Sequence, residues 1–168
     1  MPPVRDETFA DLLAANEGYA RRFSHRGLDG TAARKLAVLT CMDSRIDPLA
    51  MLALEPGDMK ILRNAGARVT DEVLTTLVVA TYLLGVERLM VIAHTNCRMT
   101  AADDDELRSA IRAAGGPSTD DLSYGTTPDL EASLRADVER VRSCERLAAL
   151  RVGGFVYDID TGRLSQAC

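Results

Sequence analysis

The chain lacks any stretch of eighteen or so residues without charge, so no segment reads as a membrane-spanning helix. Its opening residues, Met-Pro-Pro-Val-Arg-Asp-Glu-Thr, lack the uninterrupted apolar core of a secretory signal. A cytoplasmic protein is the expectation. An excess of basic charge is missing as well. Lys and Arg total 20 against 25 Asp and Glu, giving a formal net charge of -5 and a pI near 5.1. That balance argues against nucleic acid or an anionic membrane as partner and favours small ligands. There is no internal repeat, no low-complexity tract and no cysteine-dense framework. Four cysteines, at 41, 97, 144 and 168, suit reduced thiols or metal ligands in an intracellular chain better than disulfides. Histidine is scarce: His25 and His94 are the two in 168 residues.

The length suits one domain, 1–168, with a real apolar core. Apolar residues Phe9, Leu12, Leu13, Tyr19 and Phe23 follow helical spacing and predict an amphipathic helix over Asp6–Phe23. His25–Ala33 reads as a loop, and Lys35–Thr40 as a short buried strand ending at Cys41. Asp47-Pro48 predicts the start of a short helix over Pro48–Leu54, and Met59–Leu62 a second strand. Thr70 is placed to cap a helix over Asp71–Leu84 that Gly85 ends. A third strand, Arg88–Ala93, runs into His94. Ala101–Ala114 is expected as a helix with Thr100 and Asp103 at capping-box spacing, and Asp129–Cys144 as another with Leu130, Leu134, Val138 and Val141 on one face. Gly154–Ile159, a turn and Arg163-Leu164 read as an antiparallel strand pair. The fold class is α/β: a central, mostly parallel sheet flanked by helices, closed by that pair. Ligands of such sheets bind beyond the carboxyl ends of the strands, where Cys41 and His94 both fall.

Cys41-Met-Asp43-Ser-Arg45 and His94-Thr-Asn-Cys97 carry the chemistry. Two thiolates and an imidazole suit Zn²⁺ and leave the fourth tetrahedral position open, as catalytic zinc sites do. Asp43 can occupy that position, or turn away and accept a hydrogen bond from zinc hydroxide. The Arg45 guanidinium fork favours the second arrangement. Asn64 and Gly66 suit a turn with unusual backbone angles, which can also support the site. The bland readings are a structural zinc site completed by Asp43 or Cys144, buried thiols beside a core histidine, and a surface ion pair between Asp43 and Arg45. Cys144 and a terminal Cys168 read as inert. The acidic run Asp103–Glu106 reads as charge complementing a helix dipole.

These residues resemble the β-class carbonic anhydrases, which carry Cys-x-Asp-x-Arg after the first strand and His-x-x-Cys after a later one. Arg63-Asn-Ala-Gly66 looks like the family's Arg-Asn-Ala-Gly turn, and Gly153-Gly-Phe-Val-Tyr-Asp158 like its terminal strand. The resemblance implies reversible hydration of CO2 to bicarbonate and a proton by zinc hydroxide. It also implies a homodimer or higher homo-oligomer whose amino-terminal helix, within residues 1–23, packs on a neighbour. Asp43 ligating zinc would switch the enzyme off, and alkaline conditions would switch it on. Hydrolysis of carbonyl sulfide or carbon disulfide is the alternative chemistry. Arg98 stands where the family usually has glycine and is expected to modulate activity or substrate range; a silent zinc-binding oligomer with its cleft closed by Arg98 is the non-enzymatic alternative. With His94 a ligand, His25 is the remaining histidine for proton export, and its polar loop favours a solvated residue, leaving buffer or water as carrier.

Overall fold

Residues 7–168 are described by a computed structural model. Five strands form one sheet: β1 (Leu36–Cys41), β2 (Met59–Asn64), β3 (Arg88–His94), β4 (Arg151–Tyr157) and β5 (Leu164–Gln166), in the order β2-β1-β3-β4-β5. The first four are parallel and β5 returns antiparallel to β4. All six residues of β1 are buried, as befits a central strand covered on both faces. The hydroxyl of Thr40, its one polar side chain, donates to the Ile92 carbonyl at 3.1 Å and so survives burial.

On one face Leu39, Val91 and Leu89 pack against Val73, Leu77 and Ala80 of α2 (Asp71–Leu83) and Leu134, Val138 and Val141 of α4 (Leu130–Arg142). Burial of a side chain such as Leu77 stabilises by about 1.5–3 kcal/mol. The other face centres on Leu36, Val38, Met59 and Ile92. A third apolar cluster, Cys41, Ile46, Cys97, Met99 and Leu107, sits around the ligand cysteines, with Leu107 coming from α3 (Asp104–Ala113). The strand order reverses between β1 and β3, which opens the crevice where α/β sheets bind ligands.

Several expected boundaries move. The amino-terminal helix α1 is Ala10–Arg21, preceded by a 3-10 turn over Glu7–Phe9, and it buries none of its residues; Asp6 lies outside the described residues. The helix expected over 48–54 shrinks to one 3-10 turn, Ala50–Leu52. Asp47 caps Leu49 and Ala50, and left-handed Ala53 (φ 52°) stops the turn at once. The capping box of α3 is formed by Asp103 and Glu106, each side chain accepting from the other's backbone N–H, while the Thr100 hydroxyl donates to the Cys97 carbonyl. Strand β4 begins three residues before the expected Gly154. A Cβ on Gly154 would lie 2.5 Å from Cys168 Sγ and 3.1 Å from Leu134, so glycine here admits close packing rather than breaking the strand. Cys168 is correspondingly held in place, its N–H and carbonyl both pairing with Gly154.

Candidate metal centre

Strand register brings the two motifs together. β1 and β3 lie side by side with Thr40 opposite Ile92, so Cys41 and His94 leave the sheet at the same edge. The chain then turns through Asn96, whose φ of 54° is left-handed, and delivers Cys97 back toward Cys41. Ligand atoms of Cys41, His94 and Cys97 all lie within 4.8 Å of one another, and the two sulfurs are 4.0 Å apart.

The donor set fits a zinc-like cation on three counts. His94 is 1% exposed, and its Nδ1 bonds the Thr95 carbonyl at 2.9 Å, which leaves Nε2 as a lone pair. That Nε2 is buried with no hydrogen-bond partner, a cost of about 1–3 kcal/mol that a metal would remove. The thiols, finally, cannot both ionise comfortably side by side. The contact with Cys97 lowers the pKa of Cys41, with His94 and the Gly66 N–H adding to the effect against burial. The same contact, together with burial, raises Cys97. A dication between the sulfurs relieves this conflict. For His94, burial pulls the pKa down, but the neighbouring Cys41 thiolate outweighs it and the net shift is upward.

Asp43 and Arg45 stand beside the donors. Arg45 Nε donates to Asp43 Oδ1 at 2.9 Å and its Nη2 to Oδ2 at 2.6 Å, while the Arg45 backbone N–H also reaches Oδ1. The guanidinium holds the Asp43 carboxyl far below the usual carboxylate range. Arg45 also donates to the Asn96 carbonyl, so one side chain spans both ligand loops. Asp43 Oδ2 is 4.0 Å from His94 Nε2.

The turn after β2 supports Cys41 from the other side. Gly66, at φ 79°, points its N–H at Cys41 Sγ across 3.4 Å, and a Cβ there would press on Met99 at 3.1 Å. Asn64 locks this turn by accepting from the Arg68 N–H at 2.8 Å and donating to the Arg68 carbonyl at 2.7 Å. Arg63, noted in the sequence only as the first residue of that turn, donates to the carbonyls of Cys41 and Asp43. Two further residues were not singled out by sequence reasoning: Arg68 pairs with Asp137 at 2.7 Å. The available signal for Asp137 was a carboxylate set within the apolar stripe Leu134–Val138–Val141.

Other residues lie elsewhere. Arg98 is exposed and lines an outer groove with Asp103, Asp105 and Glu106 instead of the pocket that adjoins His94 and Cys97. Its φ is not positive, so the backbone does not need glycine there. His25 packs edge-on against Phe23 after α1. All four cysteines are free, and no helix among the described residues is long and apolar enough to cross a membrane.

Comparison with known proteins bears on this geometry. The family model for carbonic anhydrase matches residues 36–116. Beta-carbonic anhydrase 1 of Mycobacterium tuberculosis is 34% identical over 161 residues, covering 93% of this chain and 95% of the relative. The chain belongs to the β-carbonic anhydrase family. A solved carbonic anhydrase from Streptococcus mutans superposes with a TM-score of 0.89 at 30% identity, covering 98% of this chain and 100% of the other. This β-carbonic anhydrase is also 28% identical to a carbon disulfide hydrolase of an Acidianus species, over 78% of its length and 76% of the relative.

Proposed function

We propose that the chain is a zinc-dependent carbonic anhydrase that interconverts CO2 and bicarbonate plus a proton, with Cys41, His94 and Cys97 holding the metal. The observation that carries this reading is the gathering of those donors within 4.8 Å beside a carboxylate already locked by a guanidinium. Zinc bound there supplies Lewis acidity that makes water a nucleophile near neutral pH.

The protein's own side chains supply orientation. Asp43, pinned by Arg45, accepts a hydrogen bond from the attacking water and leaves an oxygen lone pair facing the substrate carbon. Action of Asp43 as a fourth ligand would compete with its guanidinium contacts. Ile46, Met51, Met99 and Tyr124 wall the ligand cysteines with apolar surface, which suits a small apolar substrate. His25 is packed on Phe23, so the released proton leaves on water or buffer.

Stopped-flow CO2 hydration tests this reading. Zinc-loaded protein should be active and Cys41→Ser inactive; stoichiometric zinc with no hydration from pH 7 to 9 would refute it. With CO2 hydration absent, release of hydrogen sulfide from carbon disulfide would favour the activity named for the Acidianus relative, and release from carbonyl sulfide would favour that alternative hydrolysis.

The functional unit in this proposal is a homodimer or larger, with α1 seated on a second copy. Phe9, Leu12, Leu13 and Tyr19 are each more than half exposed, an apolar stripe that nothing among the described residues covers. A reducing cytoplasm, which keeps the four thiols free, suits the site.

A further inference from the structure

The turn carrying Gly66 is strained. Gly66 and Ala67 adopt φ of 79° and 59° in succession, and a left-handed alanine is unfavourable, so the surroundings must enforce it. Ala67 is 2% exposed, and Asn64 bridges the turn from within. The rest of the fastening comes from α4. Asp137 Oδ1 accepts from the Val69 N–H at 3.0 Å, and its Oδ2 from Arg68 Nε at 2.7 Å. One helical turn later, Arg140 donates to the Val69 carbonyl at 2.6 Å and to Asp71. The backbone of Val69 is thus gripped at both its donor and its acceptor by side chains of one helix. Arg68 in turn reaches the Gly125 carbonyl, tying down the segment before α4.

Asp137 is 5% exposed, and a buried ion pair contributes little net stability. Leucine or valine would serve the α4 stripe better if stability were the whole purpose. The Arg68–Asp137 pair instead lines the same pocket as Gly66, His94 and Cys97. Building on the zinc reading above, we propose that Asp137 is a positioning residue for the metal centre: through Arg68 and Val69 it holds the strained turn that aims the Gly66 N–H at Cys41 Sγ.

In Asp137→Asn an amide NH2 faces either Arg68 Nε or the Val69 N–H, donor against donor, so one contact is lost with little change in volume. The test is zinc affinity, by competition with a chromophoric chelator, together with the thiolate-to-metal charge-transfer bands of cobalt-substituted protein. Asp137→Asn should weaken zinc binding by about tenfold or more and shift those bands. Arg68→Lys, which keeps the charge but loses the fork, should move both in the same direction. Val141→Ala, in the same helix and core, should lower the melting temperature and leave both unchanged. Unaltered zinc affinity and a superimposable cobalt spectrum in Asp137→Asn overturn the proposal; where that variant does not fold, Arg68→Lys decides on the same criteria. Equal changes in Val141→Ala also overturn it. Failure of the unsubstituted protein to hold zinc overturns the parent reading and this one with it.

Discussion

The carboxyl ends of β1 and β3 and the helix α1 are opposite kinds of structure. At the strand ends nearly every polar group is met from within the chain: Arg45 spans both ligand loops, Arg63 takes two carbonyls and Asn64 closes its turn on itself. One exception is His94 Nε2, a buried lone pair aimed among the ligand cysteines. In α1 the backbone is satisfied but the side chains are not, since no residue of the helix is buried and its large apolar groups face outward. In the proposed reading one region awaits an ion and the other a second copy, so chemistry and assembly fall to separate parts of the molecule.

This contrast can be broken at several points. The largest effect is expected for His94→Ala or Cys41→Ser, which should lose stoichiometric zinc by elemental analysis and reduce CO2 hydration to background while the circular dichroism is retained. Asp43→Asn should keep zinc and lower kcat by about 10²-fold, the scale of a lost proton acceptor. In α1, Leu12→Asp combined with Leu13→Asp should shift the sedimentation coefficient to that of a monomer, since each leucine contributes up to about 1.5–3 kcal/mol where it is covered. A monomeric unsubstituted protein would instead break the assembly half of the comparison.

Asp104 offers a finer test, because it fastens the segment near the metal site. Thr126 Oγ1 chiefly, against some burial, and the N–H groups of Tyr124 and Thr126 hold its pKa at about 2. A carboxylate whose folded pKa is depressed stabilises above its ordinary value of about 4, and that contribution disappears as pH falls through the folded pKa. The melting-temperature gap between the native protein and Asp104→Asn should therefore be full at pH 6 and close between about pH 4 and pH 2. The smallest effect is expected for Arg98→Gly, which should change stability by less than about 0.5 kcal/mol and leave kcat/KM for CO2 unaltered. A changed kcat/KM would show that this exposed cation reaches the site.

The three donors, the strands that carry them and their common edge were legible because each rests on local pattern: an apolar run, then a soft ligand. Asp43 with Arg45 was legible for the same reason, since two residues of spacing already place fork against carboxylate. Thr70 capping α2 was also local, and its side chain accepts from Val73 N–H. What escaped depends on contacts distant in sequence. Arg68 meets Asp137 across 69 residues, and no periodicity announces such a pair. Gly154 looked like a strand boundary because its close approach to Leu134 and Cys168 exists only in the folded chain. At the start of α3, Thr100 and Asp103 share the motif's spacing with Asp103 and Glu106, and only the second pair has an acid long enough to reach back.

The way Val69 is held has a bearing on how the protein meets its ion. Donors carried on strand ends, beside a turn whose following residue Val69 is clamped from a helix, are ordered when the polypeptide collapses, so the entropic cost of gathering them is met before any cation arrives. Stripping the metal with a chelator should leave a receptive scaffold rather than a denatured one, able to recover its cargo on simple mixing.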